Sequence, residues 1–203
     1  MKNYWEKFYQ ENHNLNIFKT SSSFSKFVLK KIKDYSHVID LGCGNARDSV
    51  YFLLKGKNVI SLDKSGKVIK LNKKKFKNKN INFVKFDISK NLSKVIKTKK
   101  PKCFYSRFVM HSLTKNLIKN HIKQLSKIFS NKDIFYMEYR CFEDKYKKKI
   151  YSNHYRNFMK TTDIEIILNK NNLYSTVVTK GVGFAKFGKE DPFIARHVVR
   201  KYI

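Results

Sequence analysis

The chain has 203 residues, 41% of them hydrophobic and 15% aromatic, a composition that excludes a disordered or fibrous chain and is sufficient for one domain with its own core. Forty-five Lys and Arg against 15 Asp and Glu give a formal charge of +30, which invites a nucleic-acid partner, because clustered cations neutralise phosphates. No run approaches the roughly 18 consecutive apolar residues of a membrane span, and "MKNYWEKFYQ" lacks the apolar stretch of a signal peptide, so a cytoplasmic protein with no membrane partner is expected.

In chain order, "NYWEKFYQ" and "SFSKFVLKKI" read as two short amphipathic helices ahead of the first strand. "HVIDLG" (37–42) is a buried strand followed by a helix in "ARDSVYFLLKGK", and "NVISLD" (58–63) a second strand followed by a helix in "GKVIKLNKKKF". "NINFVKFD" (80–87), "KCFYSRF" (102–108) and "DIFYMEYR" (133–140) are three more strands, with a clear helix over 114–129 between the last two. The tail offers a helix over 161–172 with Thr162 as its N-cap, then two strands, "LYSTVVT" and "FIARHVVRKYI", with no helical pattern between them. Alternating strand and helix predicts an α/β fold with a doubly wound, Rossmann-like sheet of seven strands, mostly parallel, with helices on both faces and a C-terminal antiparallel hairpin. With prolines only at 101 and 192 and no repeat or Gly/Ser linker, nothing marks a boundary, and a single domain over 1–203 is expected.

The doubly wound rule puts the ligand at the carboxyl ends of the strands, beside strand one. There "VIDLGCGNARDS" sets Gly42 and Gly44 where backbone can approach a ligand closely. A nicotinamide dinucleotide site would want a third glycine at position 47, which is arginine, and Asp40 would repel a pyrophosphate while suiting an ammonium. Asp63 closes the second strand in "SLDKS", where an acid commonly accepts from ribose hydroxyls, although a dehydrogenase has such an acid too. Asp87 ends the third strand in "VKFDIS", placed to accept from an adenine amine while Ile88 packs on the ring. Three acids at three successive strand ends therefore suit an amino-acid ammonium, a ribose and an adenine, which together describe S-adenosyl-L-methionine.

At these residues the chain resembles the class I S-adenosylmethionine-dependent methyltransferases: "VIDLGCGNARDS", "VISLDKS" and "INFVKFDIS" look like the family's first three motifs, with Ala46 where a glycine is frequent. Among them it is most similar to small single-domain enzymes of the tellurite-resistance and thiopurine type. The resemblance implies a cofactor site of Asp40, Gly42, Gly44, Asn45, Arg47, Asp63, Lys64, Ser65, Asp87, Ile88 and Ser106, and no metal. It also implies an N-terminal helical cap over the cofactor, residues 1–36, and a substrate lid in 138–160.

Methyl transfer requires an aligned nucleophile, exclusion of water and, for a hydroxyl or protonated amine, removal of a proton. The fourth strand end reads "FYSRFVMHSL", where His111 is the candidate general base, with a structural histidine as the equal alternative. Arg107 would hold an anionic substrate group or pair with Glu138 on the adjacent strand. Substrate contacts are expected from Arg140, His154, Tyr155 and Arg156 in the lid and from Tyr4, Trp5 and Tyr9 on the aromatic first helix, with Ser22 and Ser23 near the methionyl carboxylate. The expected reaction is transfer of a methyl group to an O or N atom of a small, anionic or sugar-like metabolite.

The rivals are an RNA methyltransferase acting on ribose or a ring nitrogen, a non-catalytic binding protein built on the cofactor fold, and an aminopropyl transferase. The Pro-Pro motif of exocyclic-amine methylators is absent, and Cys103 lies within the fourth strand and not past its end, unlike a base-carbon nucleophile. Lys, Asn, Ile, Phe and Tyr share A- and T-rich codons, so base composition explains the charge ahead of a nucleic-acid partner. Cys43, Cys103 and Cys141 are widely spaced and read as reduced, buried thiols.

Overall fold

The computed structural model describes residues 4–12, 20–149 and 154–203, with side chains of the first segment described for 4–8. Strands β1 (His37–Leu41), β2 (Asn58–Asp63), β3 (Ile81–Lys85), β4 (Lys102–Arg107) and β5 (Ile134–Arg140) run parallel, and β6 (Leu173–Gly181) and β7 (Ile194–Lys201) complete the sheet as an antiparallel pair, β7 lying antiparallel to β5. The order is β3-β2-β1-β4-β5-β7-β6. Strand order therefore reverses between β1 and β4, which opens the crevice expected of a doubly wound sheet at the carboxyl ends of those strands. The fold class read from the sequence is the fold observed.

Six helices flank the sheet among the described residues: α1 (Tyr4–Asn12), α2 (Ser23–Lys31), α3 (Arg47–Leu54), α4 (Gly66–Lys75), α5 (Lys115–Ser126) and α6 (Thr161–Asn169). All seven residues of β5 are buried, as are Val38 to Leu41 of β1, because helices cover both faces and leave no solvent side to alternate toward. On one face Ile39, Leu41, Phe104 and Met137 pack with Ile118 and Leu125 of α5 and Ile164 and Leu168 of α6. On the other, Val38, Cys103 and Tyr105 pack with Phe24 of α2, Phe52 of α3 and Val68 of α4. The three cysteines are free and buried, and no described helix is long and apolar enough to cross a membrane.

Ser22, Ser65 and Thr114 cap α2, α4 and α5, each accepting from the amide three residues on, which satisfies a first-turn donor and sets where the helix starts. At α6 the sequence expectation is corrected. The change from extended to helical backbone falls at Lys160, which makes no side-chain cap bond, and Thr162 already lies in the first turn.

Candidate active site

The turn from β1 into α3 is built on a position that only glycine can fill. Gly42 has φ +84, and a Cβ there would lie 2.3 Å from Cγ2 of Val109, in the loop after β4. The β1 and β4 loops thus touch across the crevice. The Gly44 amide donates to Oδ2 of Asp63 at 2.9 Å, and its carbonyl accepts from Nδ2 of Asn72 at 2.8 Å, tying the turn to β2 and α4. Ala46 sits at φ 65 and ψ 15 with its side chain wholly buried. A left-handed alanine costs roughly 1–2 kcal/mol, and burial of its methyl recovers about 0.8 kcal/mol, so the departure from glycine leaves the turn intact.

Asp40 and Asp63 lie in the last residues of β1 and β2 as expected, whereas β3 ends at Lys85 and Asp87 lies two residues beyond it. Asp40 is 3% exposed and accepts from Oγ of Ser49 at 2.5 Å; burial, and after it the charges of Asp48 and Asp63, push its carboxyl up to about 8 against that hydrogen bond. Asp63 accepts at Oδ1 from the Ser65 amide at 2.9 Å; burial raises its pKa against the backbone bonds from Ser65 and Gly44. Asp87 accepts from the amide and hydroxyl of Ser89 at 3.0 and 2.7 Å and pairs with Lys64 at 2.7 Å. Burial opposes its charged form, but Lys64 and Ser89 outweigh that and hold the pKa low. A carboxylate has about four lone-pair sites, so each acid keeps acceptor capacity toward a ligand. Asn45 and Arg47 are half-buried in the first turn, Ser65 is buried as the α4 cap, and Ile88 is 6% exposed. Ser106, next to the carboxyl end of β4, has a buried hydroxyl with no partner among the described residues.

Beyond β4, Arg107 and Arg140, two of the cations expected to meet substrate, are held in ion pairs. Arg107 donates through Nε to Oε1 of Glu138 at 3.0 Å, the pairing foreseen on the neighbouring strand, and lies over the Phe108 ring. Glu138 also accepts from Nε of Arg196 at 2.8 Å. Arg140 is 8% exposed and bonds Asp144 at 3.1 Å and Glu190 at 2.8 Å. Its guanidinium therefore ties β5 to the helical turn over 142–146 and to the β6–β7 connection. The segment expected to form a lid meets α1 through His154, which stacks on Tyr4 at 4.7 Å and meets Trp5 edge-on at 5.0 Å, while Tyr155 is 44% exposed and turned to solvent. The Tyr9 side chain lies outside the described residues, as do residues 1–3, 13–19 and 150–153 of the cap and lid.

His111 is 3% exposed, and its Nδ1 accepts from the backbone amide of Arg140 at 3.2 Å. An amide nitrogen can only donate, so the proton of the neutral ring sits on Nε2. Burial, followed by the charges of Arg140, His154, Arg156 and Arg107, pushes its pKa well below the ordinary histidine value. The ring is neutral and presents a donor.

Asp48 is a residue that nothing in the sequence pattern singles out. From the first turn of α3 it accepts from the Ser22 amide at 2.7 Å, the Ser22 hydroxyl at 2.8 Å, the Ser25 hydroxyl at 2.9 Å and the Tyr105 hydroxyl at 2.7 Å. Burial works against its charge, yet Arg107, Arg47 and these donors outweigh it, and its pKa is lowered. Ser22 is thus engaged with Asp48, and Ser23 donates to the Phe184 carbonyl at 2.5 Å, which corrects their expected place near the cofactor carboxylate. An acid beside a helix start was the only signal, and it reads equally as a favourable charge at the helix N-terminus.

Residues 1–134 match the family model of tellurite resistance protein TehB. No curated protein matches the sequence. Among solved structures the chain is similar to a methyltransferase dependent on S-adenosylmethionine (SAM) from Anabaena variabilis, at 14% identity over 99% of this chain and 95% of that one, with a TM-score of 0.74. A TehB-like SAM-dependent methyltransferase from Corynebacterium glutamicum aligns at 15% identity over 98% of each chain, with a TM-score of 0.70. A third, 1,6-didemethyltoxoflavin-N1-methyltransferase from Burkholderia thailandensis with bound 1,6-didemethyltoxoflavin and S-adenosylhomocysteine, aligns at 15% identity over 100% of this chain and 87% of that one, with a TM-score of 0.71.

Proposed function

The chain belongs to the family of tellurite resistance protein TehB and has the fold of the SAM-dependent methyltransferases, and from that premise we propose that it transfers a methyl group from S-adenosylmethionine to an O or N atom of a small anionic or sugar-like acceptor. The observation that carries this reading is the row of Asp40, Asp63 and Asp87 at three neighbouring strand ends around a turn that only glycine fits. Their chemistry fits the cofactor: Asp40 would take the ammonium, Asp63 the ribose hydroxyls and Asp87 the adenine amine, with Ile88 against the ring. Gly42, Gly44, Asn45, Arg47, Lys64, Ser65 and Ser106 would line the remainder. When bound, the cofactor supplies a methyl group on a sulfonium, open to in-line displacement. The chain acts as one catalytic unit, with 1–36 as its cap and 138–160 as its lid.

The residues of the chain then have to align the acceptor and keep water out. Tyr4 and Trp5 of α1, with His154 and Arg156 of the lid, would form the outer wall. The expectation of a general base at His111 is revised: with Nδ1 accepting from Arg140, its Nε2–H donates to the acceptor. Arg107 and Arg140 both lie over the Phe108 ring that meets His111 edge-on, and with Arg156 of the lid they would favour an acceptor that arrives already deprotonated, for which no base is required.

Labelled methyl transfer across carboxylates, sugar phosphates, phenolates, tellurite and neutral amines tests the substrate class. Turnover should concentrate on the anions, and turnover confined to neutral amines would overturn it. His111→Leu should lower kcat/KM for the acceptor by about tenfold, the loss of one hydrogen bond to a charged group, with cofactor affinity unchanged. His111→Gln, which keeps a donor near the Nε2 position, should retain most of the activity. A rising limb in the kcat profile between pH 5 and 7 that disappears in His111→Gln would restore the general base.

A further inference from the structure

The apolar stripe of α5 has one polar interruption. Ile118, Ile122 and Leu125 are buried together with His121, and a histidine wholly enclosed in a core is costly unless its polar atoms are needed there. Its Nδ1 lies 3.0 Å from the carbonyl oxygen of Ile88. A carbonyl only accepts, so Nδ1 carries the proton. The other nitrogen, Nε2, is buried with no partner among the described residues, and the ring meets Phe135 edge-on at 6.3 Å. Only one of its two polar atoms is used, and it is aimed at the segment that follows β3.

The bonded carbonyl belongs to the peptide joining Ile88 to Ser89. The amide of that same peptide donates to Oδ1 of Asp87 at 3.0 Å, alongside the Ser89 hydroxyl at 2.7 Å. One rigid plane is therefore held at its carbonyl end by His121 and holds Asp87 at its amide end. We infer that His121 is a positioning residue for adenine recognition: through the Ile88–Ser89 peptide it fixes the direction in which the Asp87 carboxylate faces the cofactor. This rests on reading Asp87 as the adenine acceptor. Without His121, no other described donor reaches the Ile88 carbonyl, and a buried acceptor without a partner is strongly disfavoured. The peptide would rotate toward water, carry its amide off Oδ1 and leave the carboxylate to the Ser89 hydroxyl and to Lys64 on the exposed side.

The test compares binding of S-adenosylhomocysteine with that of S-inosylhomocysteine, whose ring carries an oxo group in place of the amine, by calorimetry on the full chain. The wild type should prefer the adenosyl ligand. His121→Leu should reduce that preference by about tenfold, the range expected for a buried acceptor left unpaired, while inosyl binding changes little. His121→Asn, whose amide can place an N–H near the Nδ1 position, should restore the preference, and in an Asp87→Ala background His121→Leu should no longer alter it. Should the leucine variant not fold, His121→Met serves the same comparison. Equal weakening of both ligands, or failure of asparagine to rescue, would overturn the inference and leave His121 a packing residue. A wild type that binds neither ligand would instead remove the cofactor reading on which it rests.

Discussion

Asp40 and Gly42, two residues apart, carry the sharpest consequences of the site. Asp40 has its carboxyl pushed up to about 8, first by burial and then by Asp48 and Asp63, so near neutrality much of it holds a proton. A ligand ammonium beside it favours the ionised form, so binding should expel that proton. Affinity for S-adenosylhomocysteine is therefore expected to rise with pH toward about 8 and level off before the ligand loses its own ammonium proton. Calorimetry in buffers of different ionisation enthalpy reads the release, and an affinity that is flat with pH would contradict it. For the free protein the sign is opposite. The folded pKa lies above the ordinary value of 3.8, so the contribution of this group to stability is complete below about 4 and is lost as pH rises through about 8. Gly42→Ala should cost about 3 kcal/mol by chemical denaturation, combining a left-handed alanine with overlap onto Val109. Val109→Ala in that background should recover the overlap part alone.

Among the elements, α2 and α3 are joined to β4 by a single carboxylate. Asp48 gathers the N-cap of α2, the Tyr105 hydroxyl and the field of Arg107, so α2 cannot lift without breaking several bonds together. Asp48→Ala should destabilise by about 3 kcal/mol because one amide and three hydroxyl groups lose a buried partner, whereas Tyr105→Phe, which deletes one donor, should cost about 1 kcal/mol. Thermal unfolding reads both, at roughly 2–4 °C per kcal/mol for a chain of this size. Because the pKa of Asp48 is lowered, its contribution is present above 3.8 and lost as pH falls through the lowered folded value. Equal melting temperatures for Asp48→Ala and wild type would show that α2 is held by its apolar face alone.

At the scale of the whole molecule, the order of strands and helices was legible because a parallel sheet covered on both faces writes itself as apolar runs alternating with 3.6-residue periodicity. Asp40, Asp63 and Asp87 were legible because each directly ends or follows such a run. What was not legible depends on residues brought together from far apart: Asp48 with Ser22, 26 positions away, Tyr105 with Asp48, 57 away, and Ile88 with His121, 33 away. His111 was placed in the right loop, but its tautomer follows from a backbone amide on the neighbouring strand that no spacing reveals. Arg140 read as a substrate contact because the sequence shows its charge and hides Asp144 and Glu190, which the fold presses against it. On the proposed function, the carboxyl ends of β1, β2 and β3 form a site for S-adenosylmethionine. Its most direct test is calorimetric titration of the nucleic-acid-free protein with S-adenosylhomocysteine, wild type beside Asp63→Ala. Saturable binding of one ligand per chain is expected, weakened at least tenfold in the variant by loss of the ribose acceptor; no binding, or binding untouched by Asp63→Ala, would contradict a cofactor site at these strand ends.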